Sequence, residues 1–242
     1  MNAFRGTVAV ITGASGGIGE AISIALAREG ARLLLAGRNG EKLEMIAERA
    51  RDLSPGVETF AADLAEDDSI RALAGRAQAV FGGVNVLIHS IGLFLAGPIE
   101  TTPVEVLDRQ YRVNTRAPYL LTQALLPSLI AREGQVVFVN SSAGFHPARE
   151  GWAAYSASKH ALRALADGLR AEVNKKGVRV ISVFPGRTAT PMQEEVHQFE
   201  GRPYDPERFL QPRDVAMTVV NALALPRTAE VTDLHVRPMR GG

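Results

Sequence analysis

Seven short runs of β-branched and aliphatic residues, separated by longer helical segments, constrain this 242-residue chain more than any other feature. They are VAVIT (8–12), RLLLAG (32–37), VETFAA (57–62), VNVLIHS (84–90), QVVFVNS (135–141), VRVISVF (178–184) and VTDLHV (231–236). Several are almost purely apolar, as parallel strands covered on both faces must be. Amphipathic segments lie between them, near 17–29, 40–52, 66–80, 103–131, 151–175 and 212–224. Strand–helix alternation at this spacing implies successive right-handed βαβ units. The predicted class is α/β, a doubly wound and mostly parallel sheet of about seven strands with helices on both faces.

No repeat, low-complexity linker or composition break divides the chain, so residues 1–242 are expected to form a single domain. The least periodic part, 185–212, holds Pro185, Pro191, Pro203, Pro206 and Pro212, and its residues 187–212 read as a substrate lid. Its acids and bases, Glu194, Glu195 and Arg202 among them, either select a polar substrate or face water.

The 27 basic and 26 acidic residues are scattered, and no cationic stripe suits nucleic acid or an anionic membrane. Absence of cysteine excludes disulfides, thiolate catalysis and Cys-bound zinc. The histidines at 89, 146, 160, 197 and 235 have no metal-ligand spacing, so no metal is expected. The apolar stretch 84–99 is interrupted by polar residues and too short to span a bilayer. The first apolar run leads straight into a glycine-rich turn, unlike a signal peptide. A cytoplasmic location is expected.

That turn reads TGASGGIGEAI, with glycines at 13, 16, 17 and 19. Placed between a strand and a helix, it brings backbone N–H groups and the positive helix N-terminus toward a pyrophosphate. Farther along, AAYSASKHA sets Tyr155 and Lys159 four residues apart, on one face of a helix. A free phenol, with a pKa of about 10, is a poor acid–base catalyst near neutrality. A cation beneath it favours phenolate and would lower that value by about 1–3 units. The small residues at 156–158 would let ligands approach.

The TGxxxGxG turn (Gly13, Gly17, Gly19) and the YxxxK pair resemble the short-chain dehydrogenase/reductases. The likeness runs essentially end to end and is to their compact branch, with one Rossmann-type domain. It implies an oxidoreductase that moves a hydride between NAD(P) and a carbonyl or alcohol, with Tyr155 as general acid/base and Lys159 as its partner. Ser142, thirteen residues before Tyr155, takes the position of the family's catalytic serine and is favoured over Ser141. Asn114 corresponds to the family's helix asparagine, whose carbonyl holds a relay water. Pro118, four residues on, lacks the N–H that would otherwise occupy that carbonyl.

The resemblance also implies the cofactor contacts. Ser15 and Ile18 lie in the turn with its glycines. Asp63 and Leu64 follow the third strand, where the acid meets the adenine. Gly92 follows the fourth. Pro185 and Gly186 shape the nicotinamide pocket, with Thr188 and Thr190 beside them. An NAD enzyme usually carries an acid after the second strand, but this chain reads LAGRN there. Arg38 suits a 2′-phosphate, so NADP(H) is favoured over NAD(H). Where many relatives have Asn-Asn-Ala-Gly, this chain has His89, Ser90, Ile91 and Gly92. His89 is read as a structural histidine. Phe145 and Trp152 are candidates for the substrate pocket.

The leading reading is an NADPH-dependent reductase of ketones or aldehydes. An NAD-dependent alcohol or hydroxysteroid-type dehydrogenase is the alternative, and a non-catalytic cofactor sensor a weaker one. The partner implied is a small molecule. The alanine-rich helix around 152–173 is flat enough to pack on a copy of itself, so a homo-oligomer is expected, a tetramer before a dimer.

Overall fold

In the computed structural model, described for residues 3–146 and 148–239, the seven runs form one parallel sheet in the order β3-β2-β1-β4-β5-β6-β7. The strands are β1 (Val8–Thr12), β2 (Arg32–Gly37), β3 (Val57–Ala61), β4 (Val86–His89), β5 (Gln135–Val139), β6 (Arg179–Pro185) and β7 (Asp233–Val236). Pleating sends alternate side chains to opposite faces. Ala9, Ile11, Leu33 and Leu35 pack beneath α1 (Gly17–Arg28), α2 (Gly40–Arg51) and α8 (Pro212–Leu223). Val8, Val10, Leu34 and Ala36 pack beneath α3 (Asp67–Phe81), α5 (Ala117–Ala131) and α6 (Ala153–Val173). Both faces are therefore covered, which is why these strands carry no polar alternation.

The chain leaves the edge at β3 and re-enters beside β1 as β4, in the register Thr12↔His89. The order of strand addition thus reverses between β1 and β4, and a crevice opens above their C-terminal ends. Gly13 lies at its floor with φ +69°, and a Cβ there would fall 2.5 Å from the Ser90 carbonyl oxygen. Only glycine fits so close a backbone crossing. A Cβ on Gly19 would fall 2.2 Å from the Gly13 carbonyl oxygen, so α1 starts tight against the turn.

Two predicted segments differ in detail. The helix expected across 103–131 is α4 (Val104–Tyr111) and α5 joined by a π-turn, Arg112–Arg116. The Ala117 N–H reaches the Arg112 carbonyl across this widened turn, one residue beyond the α-helical partner. Pro118 lies just beyond it, where its missing N–H disturbs least. The lid segment contains α7 (Pro191–Phe199), which the prolines concealed. Thr190 caps this helix and Pro191 is its first residue, a position proline favours. The segment is fastened by a bridge between Thr188 and Leu210.

Candidate active site

Above the switch point runs a cleft of about 650 Å³ whose wall includes Gly13, Ser15, Gly17, Ile18, Gly92 and Thr190. Its far end passes Gly37, Arg38, Asn39 and Lys42 at the start of α2, and no Asp or Glu is among its described lining residues. The Ser15 hydroxyl lies over Gly37, 3.0 Å from where a Cβ would stand. A side chain at 37 would fill the cleft. Asn39 caps α2 by accepting from the Lys42 N–H at 2.9 Å, which fixes both residues at the cleft rim. The glycine cradle, the dimensions and the cationic end fit a dinucleotide. Lys42 and Asn39 were not legible as site residues, because they read as ordinary helix-start chemistry.

The near end of the cleft closes on Tyr155 and Lys159, both buried on α6. Lys159 Nζ donates to the Val139 carbonyl at 3.4 Å and lies 5.9 Å from the Tyr155 ring centroid. A Cβ on Gly92 would stand 3.8 Å from the same Nζ, so the glycine borders the ammonium at the cleft wall. Burial holds the lysine at about 8 instead of 10.5. Burial also raises the Tyr155 phenol above its ordinary value, opposed by hydrogen bonding from the Ser141 hydroxyl. Burial is the largest influence on this phenol, and Lys159 is not among the groups that act on it.

The Ser141 hydroxyl is the one that acts on the phenol, lowering it against burial. It also accepts from the Ala143 N–H at 3.1 Å, capping the 3-10 turn Ser142–Gly144. Ser141 and Ser142 both line the neighbouring cavity. Asn140, unforeseen, turns its side chain under α6 and donates to the Lys159 carbonyl at 3.1 Å.

Asn114 is fully buried in the π-turn and contributes its side chain to the framework. It accepts from the Leu93 N–H at 2.8 Å, and donates to the Leu93 carbonyl at 2.9 Å and the Ser158 hydroxyl at 3.0 Å. Ser158 therefore faces the π-turn instead of admitting ligand, and its neighbour Ala157 is exposed. Of the small residues at 156–158, Ser156 alone lines a cavity.

Tyr155 also lines a second cavity of about 220 Å³, with Pro185, Gly186, Thr188, Trp152, Phe94 and Met192 among its walls. Phe145 stays outside it, 4.7 Å from the His235 ring and 4.9 Å from the Arg163 guanidinium. Glu194, Glu195 and Arg202 face solvent. Asp63 lies apart from both cavities, its carboxylate accepting from the Ala65 N–H at 2.9 Å, and the Leu64 side chain is core. A small recess holds Asp63 beside Arg38 and Gly92. His89 is structural: it stacks on Phe138 at 4.9 Å, bonds Thr122 at 2.8 Å, and burial lowers it to about 3.

The short chain dehydrogenase family profile matches residues 7–201. An uncharacterised oxidoreductase of Staphylococcus aureus (strain USA300) is 34% identical over 240 residues, covering 99% of this chain and 100% of that protein. Among solved structures, a metagenomic short-chain oxidoreductase in complex with NADP is 33% identical, covering 98% of this chain and 99% of its own at a TM-score of 0.84. An alcohol dehydrogenase from the archaeon Thermococcus sibiricus, complexed with 5-hydroxy-NADP, is 29% identical, with 98% of each chain covered and a TM-score of 0.86. The chain belongs to the short-chain dehydrogenase family and is an oxidoreductase of that type, a family that binds NAD(P).

The lysine carries a testable cost. Held at about 8 instead of 10.5, Lys159 destabilises the fold by about 3 kcal/mol wherever it is charged in both folded and unfolded chains. Between those values the unfolded chain binds the extra proton, so this penalty fades as pH rises. Lys159→Met is expected to melt about 6 °C or more above the parent at pH 7. The gain should shrink by pH 9.5, as read by calorimetry at both pH values. A constant or growing gain would contradict the burial assignment.

Proposed function

We propose that the protein is an NADPH-dependent carbonyl reductase, a short-chain alcohol dehydrogenase acting on a ketone or aldehyde. The observation that carries this reading is the place of Tyr155, buried where the dinucleotide-sized cleft and the smaller cavity meet. When bound, the nicotinamide supplies the hydride for the carbonyl carbon. Burial keeps the Tyr155 phenol in its protonated, donating form, and it gives the matching proton to the carbonyl oxygen. Ser141, beside that phenol, hydrogen-bonds the same oxygen as charge develops. Lys159 stands behind Tyr155 as the next proton carrier, with a pKa of about 8 suited to exchange near neutrality. The Asn114 carbonyl, opposite the N–H-less Pro118, is the proposed acceptor for a relay water.

The preference for NADPH over NADH rests on Arg38 together with Lys42, two cations at a cleft end whose described lining holds no acid. The NADP in two similar structures supports the same choice. Residues 187–212 are proposed to lie over the substrate as a lid within a single domain. No described helix is long and apolar enough to cross a membrane, and we place the enzyme in the cytoplasm. A tetramer is proposed to form through α6, whose outer face exposes Ala157, Ala164, Gly168 and Ala171.

NADPH oxidation across ketones and aldehydes tests the chemistry. Tyr155→Phe is expected to lose about 10³-fold in kcat while still binding NADPH. Ser141→Ala should cost about 10²-fold and Ser142→Ala no more than a few-fold. Equal losses at both serines would return the role to an open choice, and full turnover by Tyr155→Phe would end the mechanism. Arg38→Ala with Lys42→Ala should cut the NADPH-over-NADH affinity ratio about tenfold or more, measured by cofactor titration. An unchanged ratio removes the phosphate role. Sedimentation of Ala164→Arg should show a species smaller than the parent's. Unaltered mass would rule α6 out as the interface.

A further inference from the structure

The 220 Å³ cavity beside Tyr155 combines an aromatic wall with two arginines, and its electrostatics select a substrate class. Phe94 meets the Trp152 ring edge-on at 4.9 Å and the Tyr155 ring at 5.1 Å. Trp152 stands 5.9 Å from Tyr155. Met192 and Val196 extend the apolar lining. A cavity of about 150 Å³ holds benzene, so this space accommodates one ring and a short substituent.

Arg187, from the loop after β6, and Arg149, from the loop before α6, both reach this cavity. By charge alone they would suit an anionic substrate. Glu200, just past α7, engages both. Its two oxygens accept from Arg187 Nη2 at 2.7 and 2.8 Å, and Arg149 Nη1 lies 3.6 Å from one of them. The Arg187 and Glu200 side chains are each 13% exposed, so this pair is only weakly screened by solvent. Arg187 also lies 3.4 Å from His197 Nε2, which further occupies its guanidinium. Arg149, 60% exposed, rests over Trp152 at 5.5 Å with most of its charge in water. A carboxylate buried to this degree is expensive unless it serves as a counterion. The remaining polar lining is hydroxyl and amide, with His146 exposed at the rim.

We infer that Glu200 is a specificity-determining residue. By neutralising Arg187, and leaving Arg149 with its charge largely in water, it reserves the site for uncharged carbonyl compounds with a planar aromatic or similarly apolar substituent, and turns away keto acids. The substituent packs on Phe94 and Trp152 while the carbonyl oxygen meets Tyr155. This rests on the carbonyl reductase reading. Reduction consumes one NADPH and one proton and yields the corresponding alcohol.

A matched pair tests it: methyl benzoylformate and benzoylformate share one aryl ketone and differ by a charge. Trp152 is the only tryptophan in the chain, so its fluorescence reports occupancy of the cavity without turnover. The ester should quench Trp152 at concentrations at least tenfold lower than the acid, and show at least tenfold higher kcat/KM with NADPH. Glu200→Gln keeps the side-chain shape and removes the counterion, and should shift that ratio about tenfold toward the acid. Equal or better binding of the acid by the parent protein overturns the inference, as does an unshifted ratio in a folded Glu200→Gln, or quenching by neither compound. The comparison on the parent needs no variant, so a misfolded Glu200→Gln leaves the test intact. Selective quenching by the ester without NADPH consumption would support the cavity's selectivity and count against the reductase reading. Turnover favouring the acid would do the reverse.

Discussion

Helix α6 carries both ionisable groups of the site, and its first two turns are held by side-chain amides from other parts of the chain. Asn140 donates to the Lys159 carbonyl, and Asn114 donates to the Ser158 hydroxyl, which in turn donates to the Tyr155 carbonyl. Thr115 adds a bond to the Ser158 carbonyl at 2.9 Å. All of these groups are buried, where an unpaired amide would cost about 1–3 kcal/mol, so the network fixes α6 in one position. A Cβ at Gly144 would come within 2.6 Å of Asn140 Oδ1 and 2.8 Å of the Lys159 carbonyl. The turn that carries Ser141 can pass beneath the helix only because that residue is glycine.

Fixing α6 in this way also sets the chemistry. A phenol and an ammonium are both denied water, and burial pushes the phenol up and the ammonium down. Their ordinary values, 10.0 and 10.5, are drawn apart in directions that keep the tyrosine a proton donor and bring the lysine toward neutrality. The fold sustains this through the surrounding apolar mass: Phe94, Ala143 and Val196 cluster with Tyr155, while Gly92 borders Lys159 at the cleft wall.

The strands and most of the helices were legible because they follow hydrophobic period, a local property of the chain. The glycines of the first turn and the Tyr155–Lys159 pair were legible for a related reason. Each is a short-range motif whose geometry is set within a turn or two of backbone. Ser141 was not. Counting thirteen residues back from Tyr155 points to Ser142, whereas Ser141 is the hydroxyl that acts on the phenol, and spacing along the chain does not carry that relation. Helix α7 was hidden in a proline-rich stretch, although Thr190 followed by Pro191 is a helix-start signal. Asn140 and Ser158 carried no signal, since buried amides and hydroxyls acquire meaning from partners distant in sequence.

By itself the sequence determined the α/β class, the number of strands, the phosphate turn and the pair on α6, because all of these follow from periodicity and local sterics. The tertiary structure decided that burial is the largest influence on the phenol, that Asn140 and Asn114 hold α6 in place, and that Lys42 stands beside Arg38 at the cleft. It also brought Arg149 and Arg187 to one cavity wall, with Glu200 paired to both. Those outcomes depend on distance and solvent exclusion between segments far apart in the chain. Neither quantity exists until the sheet has brought its C-terminal edge together.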